Sequence, residues 1–257
     1  MQYRQLGRSG LQISALALGT MTFGGSGAFQ KAGSTDVAGA ERQLDLCIDA
    51  GVNFVDTANI YSRGLAEEIL GQAVQAEGRR ETVLIASKVR FRMGERPNDA
   101  ALSRHHIIAG CEASLRRLRS SHIDLYQLHE WDGLTPLEET LEAMDTLVRS
   151  GKVRYVGVSN FSAWYLMKTI GVAREHRDIL PITQQIITLC RLARRNMNWC
   201  RHRSTRVLAS WSGARLPVAS SPASTAAPTL LLPARDSRKP ARSCHSTESR
   251  VTASWKR

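Results

Sequence analysis

The sequence predicts an α/β fold of the (β/α)8 (TIM) barrel type, incomplete, with about six βα units in residues 1–186 and an unrelated tail after them. The first observation is that strand-like and helix-like segments alternate, and the strand-like segments contain almost no polar residues. Such strands are typical of parallel sheets covered on both faces. The second observation is that four successive strands end on a polar side chain: Asp56, Lys88, His129 and Asn160.

The alternation of strands and helices is also typical of an open doubly wound sheet, which is the alternative to the barrel. The first strand–helix connection carries no GxGxxG, which lowers the odds of an open dinucleotide-binding sheet. In a barrel, the carboxyl ends of all strands converge on one mouth, where active sites lie. The polar strand ends therefore favour the barrel.

The elements follow one another with clear boundaries. A turn at residues 7–10 precedes an alternating apolar strand at residues 13–18, and the first helix, "GAERQLDLCIDAGV", stops at Gly51. Five further strands are predicted: "VNFVD", "TVLIASK", "IDLYQLH", "VRYVGVSN" and "ITQQI". The helices between them are "GLAEEILGQAVQ", "IIAGCEASLRRLR", "LEETLEAMDTLVRSGK" and "SAWYLMKTIGVAREH".

Composition excludes several classes of protein. Nothing resembles a signal peptide, and no apolar run is long enough to span a membrane, so we expect a cytoplasmic protein without a membrane partner. The cysteines are too few and too irregularly spaced for a disulfide framework or a metal-ligand set, so no metal site is expected. They are Cys47, Cys111, Cys190, Cys200 and Cys244.

The formal net charge of +12 belongs entirely to the tail. Residues 187–257 contain 12 Arg and 2 Lys against 2 acidic residues, whereas residues 1–186 contain 21 basic and 21 acidic residues. The basicity therefore gives no reason to expect a nucleic-acid partner for the first part.

The polar strand ends, together with Tyr61, suggest acid–base chemistry at a carbonyl. A tyrosine with an ordinary pKa of ~10 is a poor acid at neutral pH, and a nearby ammonium lowers that pKa. Lys88 could supply the ammonium, Asp56 could hold it charged, and a histidine could orient a carbonyl oxygen. The hydride would come from a cofactor. Each residue alone has an ordinary structural interpretation, but their coincidence at successive strand ends favours the catalytic one.

The chain resembles the aldo-keto reductases, (β/α)8 enzymes that use NADP(H) or NAD(H). It is most similar in style to the branch that includes potassium-channel β-subunit-like bacterial reductases. The resemblance covers essentially residues 1–186. The stretches that carry it are "GLQISALALGTMTFGG", "AGVNFVDTANIYSRGLAEEILGQAV", "VLIASKV", "IDLYQLHEWD", "PLEETLEAMDTLVRSGKVRYVGVSNFS" and "QQI".

The resemblance implies a catalytic tetrad in this chain. Tyr61 would be the proton donor and Lys88 the residue that lowers its pKa. Asp56 would be the partner of Lys88, and His129 would orient the carbonyl. The residues implied to bind the cofactor are Gly19, Thr20 and Met21 beside the nicotinamide ribose, Asp56, and Ser159, Asn160 and Gln185 at the carboxamide. Trp131 is expected in the substrate pocket.

The implied function is NAD(P)H-dependent reduction of aldehydes or ketones, or the reverse oxidation of alcohols. We expect NADP(H) as cofactor with NAD(H) as the alternative, and a small carbonyl or alcohol as substrate. Two other hypotheses stay open: a cofactor-binding, regulatory-subunit-like protein without turnover, and a non-functional fragment.

The resemblance stops after Gln185. The family's "YSL" and "WSPL" segments are missing from residues 187–257, which contain no Tyr, no Phe and no sustained helical or strand period. Such a segment buries too little apolar surface to offset its ordering entropy, so we predict that it is disordered or only spuriously structured. A basic arm for nucleic acid or acidic membranes is the alternative.

A shifted reading frame accounts for the tail. Residues 197–200 must be encoded ATG-AAY-TGG-TGY, and reading from the third base gives GAA-YTG-GTG, or Glu-Leu-Val. Codons for residues 187–194 can be chosen so that the same offset reads Tyr-Ser-Leu-Pro-Ala-Arg-Pro. Codons for residues 211–219 can be chosen to read Val-Trp-Ser-Pro-Leu-Ala-Ser-Gly. We therefore predict that residues 187–257 are the family's C-terminal half read out of frame.

Overall fold

The structure is a computed structural model and describes residues 1–186 and, for the backbone alone, residues 187 and 209–213. The chain divides into two units, Met1–Leu216 and Pro217–Arg257, and all of the described residues belong to the first.

An antiparallel hairpin opens the chain. Tyr3–Gln5 (β1) pairs with Gln12–Ser14 (β2), and the backbone N–H of Leu6 donates to the carbonyl of Leu11 at 2.8 Å. The predicted single strand over residues 13–18 is therefore wrong, because it is split between this hairpin and the next strand. At the end of β2 the backbone N–H of Ser14 donates to Oδ1 of Asn53 at 2.8 Å instead of to a neighbouring strand, and Leu16 beyond it is exposed.

A parallel sheet follows, and its strands are hydrogen-bonded in chain order. Strands that neighbour one another in chain order, with helices between them as in residues 1–187, are the arrangement of a (β/α)8 barrel. The strands are Leu18–Gly19 (β3), Phe54–Asp56 (β4), Leu84–Val89 (β5), Ile123–Leu128 (β6), Val153–Ser159 (β7), Thr183–Ile187 (β8) and Ala209–Gly213 (β9). The predicted fold class is confirmed as an incomplete barrel.

Between the strands of residues 1–187 lie five α-helices, each where the sequence predicts one. Two have side-chain caps: Asp36 accepts a hydrogen bond from the backbone of Gly39 at 2.8 Å, and Ser103 accepts one from His106 at 3.3 Å. The helices are Val37–Asp49 (α1), Leu65–Gln75 (α2), Arg104–Leu118 (α3), Leu137–Arg149 (α4) and Ala163–His176 (α5). Short 3-10 turns lie at Gly27–Phe29, Tyr61–Gly64 and Ala76–Glu81.

Alternate strand residues face opposite sides of the sheet. Val55, Ile85 and Tyr126 belong to the main core with apolar residues of the helices. Phe54, Ala86 and Leu125 form a second core with Leu6 of the hairpin segment. Since side chains alternate with a period of two, the residues two positions further along these inner strands share the same face.

Those next inward residues are polar: Asp56, Lys88 and Gln127. Each is at most 7% exposed. The barrel interior is thus apolar next to the hairpin, where the second core lies, and has a polar layer toward the carboxyl ends of the strands. This change places ionisable groups where the mouth opens.

One short strand lies within the tail: β9 pairs parallel with β8, with Gln185 opposite Trp211. The predicted disorder of the remaining tail lies outside the described residues. Within the described residues, no helix combines the length and apolar character needed to cross a membrane.

Candidate active site

A cavity of about 600 Å3 lies at the carboxyl ends of the strands. Its wall brings together every predicted site residue except Trp131. Those residues are Gly19, Thr20, Met21, Asp56, Tyr61, Lys88, His129, Ser159, Asn160 and Gln185. The rest of the wall is largely apolar: Thr22, Ala28, Phe29, Ile60, Phe91 and Ile186.

Lys88 is the buried centre of the polar layer, with 1% of its surface exposed. Its ammonium donates to Asp56 Oδ2 at 2.8 Å, to the carbonyl of Thr57 at 2.8 Å and to the hydroxyl of Tyr61 at 3.4 Å. Burial alone would lower the pKa of Lys88, but the charges of Asp56 and Tyr61 and their hydrogen bonds outweigh it, so the pKa is raised. Lys88 is therefore charged and is aimed at the phenol.

His129 faces the same cavity as a neutral imidazole. Burial, followed by the positive charges of Lys88 and Arg90, lowers the pKa of His129 to about 3. Its ring packs edge-on against Phe91, with centroids 4.8 Å apart, and lies 6.1 Å from the ring of Tyr61. A neutral imidazole has one N–H donor and one acceptor nitrogen, so His129 can donate a hydrogen bond to a carbonyl oxygen without carrying charge.

The ends of β7 and β8 provide a row of amides. The backbone N–H of Asn160 donates to the carbonyl of Gln185 at 2.9 Å, and its side-chain amide donates to Ser159 Oγ at 3.1 Å. Gln185 in turn donates to Asp56 Oδ2 at 3.1 Å. This donor and acceptor set fits the carboxamide of a nicotinamide, and it lies next to the acid–base residues.

Two further observations fit a ligand bound in this cavity. A side chain added at Gly19 would meet no atom within 4 Å, so the wall is open at that position. Asp56 Oδ1 is buried without a hydrogen-bond partner among the described residues. A buried carboxylate oxygen without a partner is costly, and a ligand donor in the cavity could satisfy it.

Trp131 is not among the residues that line the cavity. It stacks on Tyr165, with ring centroids 4.4 Å apart, and meets Trp164 edge-on at 5.5 Å. Its side chain is 38% exposed. Its predicted place in the substrate pocket stays a prediction.

Sequence reasoning missed several residues of the site. Phe29 ends a short 3-10 turn and Phe91 lies in a loop, so no hydrophobic periodicity marks either of these two residues of the cavity wall. Gln127 is fully buried and donates to Gln185 at 3.4 Å. A signal was available for Gln127, because it stands two residues after Leu125 on the inward face of a predicted strand.

Comparison of the sequence with known proteins identifies the family of this chain. The sequence model of the Aldo/keto reductase family matches residues 15–207. The chain belongs to this family. The match continues beyond residue 186, where the resemblance was predicted to stop.

The curated relatives are considerably longer than the matched segment. Uncharacterized oxidoreductase YrpG of Bacillus subtilis (strain 168) is 43% identical over an alignment of 195 residues that covers 72% of this chain and 57% of that protein. Proteins named probable voltage-gated potassium channel subunit beta, from Oryza sativa subsp. japonica and Arabidopsis thaliana, are each 41% identical over 72% of this chain and 54% of their own length. The chain thus spans about half the length of the curated relatives it matches.

Proposed function

We propose that the site is built for NAD(P)H-dependent reduction of aldehydes and ketones, with Tyr61 as the proton donor. The observation that carries this proposal is the contact of the buried Lys88 ammonium with both Asp56 and Tyr61, in one cavity with a neutral His129. Membership in the aldo/keto reductase family supports a general oxidoreductase function.

Each residue has a distinct part in this reaction. His129 donates a hydrogen bond to the carbonyl oxygen and orients it. Tyr61 transfers its proton to that oxygen as the carbonyl carbon accepts a hydride, which gives the alcohol. Lys88 stabilises the tyrosinate that is left, and Asp56 holds Lys88 in place. When bound, the reduced nicotinamide supplies the hydride.

We infer that two groups of residues in the cavity wall bind the cofactor. Ser159, Asn160 and Gln185 would hold the carboxamide, with Gly19, Thr20 and Met21 beside the ribose. We expect NADP(H), with NAD(H) as the alternative. Fluorescence titration with each reduced cofactor discriminates between them, and absence of binding by both would contradict the assignment.

A second candidate is a cofactor-binding subunit without meaningful turnover. Two curated relatives are named as potassium-channel β-subunits, which favours this candidate. The assay is aldehyde reduction by a chain that binds cofactor. Turnover that Tyr61→Phe abolishes supports the reductase, whereas tight cofactor binding without turnover supports the subunit.

We also propose that residues 187–257 are the family's C-terminal half read in the wrong frame, so that the 257-residue chain has little reductase activity. Support comes from the abrupt excess of arginine and from one codon offset, which gives Glu-Leu-Val at residues 197–200 for any codon choice and can restore the "YSL" and "WSPL" segments on either side of it. The nucleotide sequence after codon 187 is the test. A stop codon in the third-base frame before the "WSPL" segment would contradict the proposal and favour the basic arm.

The same proposal predicts an effect of restoring the frame. A frame-restored protein is expected to reduce a simple aldehyde with NADPH, and the 257-residue chain to do so weakly or not at all. Equal activity of the two proteins would mean that the third-base frame contributes nothing to the reaction.

A further inference from the structure

The backbone that follows Tyr61 adopts an unusual conformation. Ser62 (φ 49°, ψ 34°) and Arg63 (φ 56°, ψ 38°) both lie in the left-handed region, and Gly64 follows with φ 97°. Side chains with a Cβ rarely adopt this region, because the Cβ crowds the carbonyl oxygen that follows. Two such residues in succession persist only where the surrounding structure holds them, and such strain is concentrated at functional sites.

A pair of serines holds this turn. Ser62 is 1% exposed, and its hydroxyl donates to the carbonyl of Phe23 at 2.8 Å and accepts from the backbone N–H of Ser26 at 3.3 Å. The hydroxyl of Ser26 donates back to the carbonyl of Ser62 at 2.8 Å. These three hydrogen bonds, here called the serine tie, join the Tyr61 turn to residues 23–26.

The serine tie fixes two parts of the cavity at once. Residues 23–26 lead directly into Ala28 and Phe29, which line the cavity with Tyr61. The ring of Phe29 meets that of Tyr61 edge-on, with centroids 5.4 Å apart. The turn that carries the phenol and the wall beside it are therefore joined through the buried Ser62 side chain.

We propose that Ser62 is a positioning residue for the reduction proposed above, since it holds the Tyr61 phenol against Lys88 and Phe29 through the serine tie. The inference rests on the proposed function only in taking Tyr61 as the proton donor. Ser62 itself is not expected to contact the substrate. Loss of the serine tie should move Tyr61 without unfolding the sheet.

Fluorine NMR of the 257-residue chain labelled with fluorotyrosine tests this directly. The chain has five tyrosines, and the Tyr61 signal is assigned by its loss in Tyr61→Phe. Ser62→Gly removes the hydroxyl and relieves the left-handed strain, whereas Ser26→Ala removes one hydrogen bond of the tie and leaves the amino-acid sequence of the turn unchanged. Ser9→Ala is the matched control, because it removes a serine-to-carbonyl hydrogen bond of 2.7 Å to Leu6, which does not line the cavity.

The expected result is that both tie variants move the Tyr61 signal by more than its width, whereas the other four tyrosine signals stay in place. Ser9→Ala should move none of the five. An unmoved Tyr61 signal in Ser26→Ala overturns the proposal, as does a shift of all five signals, which would mean a global change. If Ser62→Gly fails to fold, Ser26→Ala alone decides.

The readout is independent of catalysis. Aldehyde reduction, measured with the same variants in the frame-restored protein, is expected to fall about tenfold for Ser62→Gly, because small misplacements of a reacting group are costly. Absence of reduction by the frame-restored parent counts against the proposed function, and the Tyr61 signal still decides on the serine tie.

Discussion

Two successive residues of β5, Ser87 and Lys88, belong to two buried ionic clusters on opposite faces of the same strand. In the outer cluster, on the helix side of the strand, Ser87 donates to Glu67, which also accepts from Arg117 at 2.7 Å. In the inner cluster, on the side of the barrel interior, Lys88 donates to Asp56 at 2.8 Å. Both clusters combine a buried carboxylate with a cation and a hydroxyl, so composition alone does not separate them.

The clusters differ in how completely they are paired. Glu67 is fully buried, and each of its two oxygens accepts a hydrogen bond. In the inner cluster, Asp56 Oδ1 and His129 Nδ1 are buried without a partner among the described residues. Buried polar atoms are normally satisfied, so the complete cluster fits a structural role and the incomplete one fits a site that awaits a ligand.

The largest expected effect separates chemistry from stability in the inner cluster. Tyr61→Phe in the frame-restored protein should lower kcat for aldehyde reduction by about 10²–10⁴, because the proton donor is lost. Its urea unfolding midpoint should change little, because the ring and its contact with Phe29 remain. Tyr155→Phe, a half-buried tyrosine that does not line the cavity, is the control and should keep the parental kcat.

The next effect breaks the outer cluster. Glu67→Ala should lower the free energy of unfolding by about 3–5 kcal/mol, because Arg117 loses its carboxylate partner and keeps only the hydroxyl of Ser114, and the buried Ser87 hydroxyl loses its acceptor. Glu68→Ala, at the exposed neighbouring position, should cost about 0.5 kcal/mol or less. Urea denaturation of the 257-residue chain measures both. Equal losses for the two variants would contradict a structural role for Glu67.

Acid should weaken the fold through His129. Its pKa is about 3 in the folded chain, against ~6.5 for an unfolded histidine, so the unfolded state binds more protons between these values. Its contribution to stability is complete above pH ~6.5 and is lost as the pH falls toward 3. Between pH 7 and pH 5 this amounts to about 2 kcal/mol.

His129→Gln should remove that part of the pH dependence, as measured by urea unfolding at the two pH values. His176→Gln, at an exposed position of α5, is the control and should keep the wild-type dependence. A wild-type slope in His129→Gln would mean that the histidine is solvated in the folded chain.

The smallest expected effect measures how much the Ser87 hydroxyl contributes to the outer cluster. Ser87→Ala should lower the free energy of unfolding by about 1–2 kcal/mol, because Glu67 loses one donor but keeps Arg117. Ser121→Ala, at an exposed position, should be within about 0.5 kcal/mol of wild type. If Ser87→Ala cost as little as the control, the pairing of Glu67 would not depend on Ser87.

The sequence could predict the inner cluster because Asp56, Lys88 and His129 stand at the ends of apolar strands, where topology alone brings them together. Hydrophobic periodicity likewise predicted the helices and the parallel order. The apolar strand predicted at residues 13–18 failed because alternation cannot distinguish a hairpin arm from a barrel strand.

Other parts of the site carry no local signal. The outer cluster joins residues of α2, β5 and α3, and its pairing depends on how those elements pack. The place of Phe29 depends on hydrogen bonds between Ser26 and Ser62, which are distant in the chain. Such tertiary contacts follow from the fold and not from spacing.

The contact between Trp131 and Trp164 has an optical consequence. The two indoles meet at 5.5 Å and nearly at right angles, one just after β6 and the other at the start of α5. Aromatic rings held at fixed distance and angle couple their electronic transitions and give a near-ultraviolet circular dichroism band that vanishes when the geometry is lost. The β6 and β7 ends of the barrel therefore carry a chromophore pair of their own, and its band reports their order without any added probe.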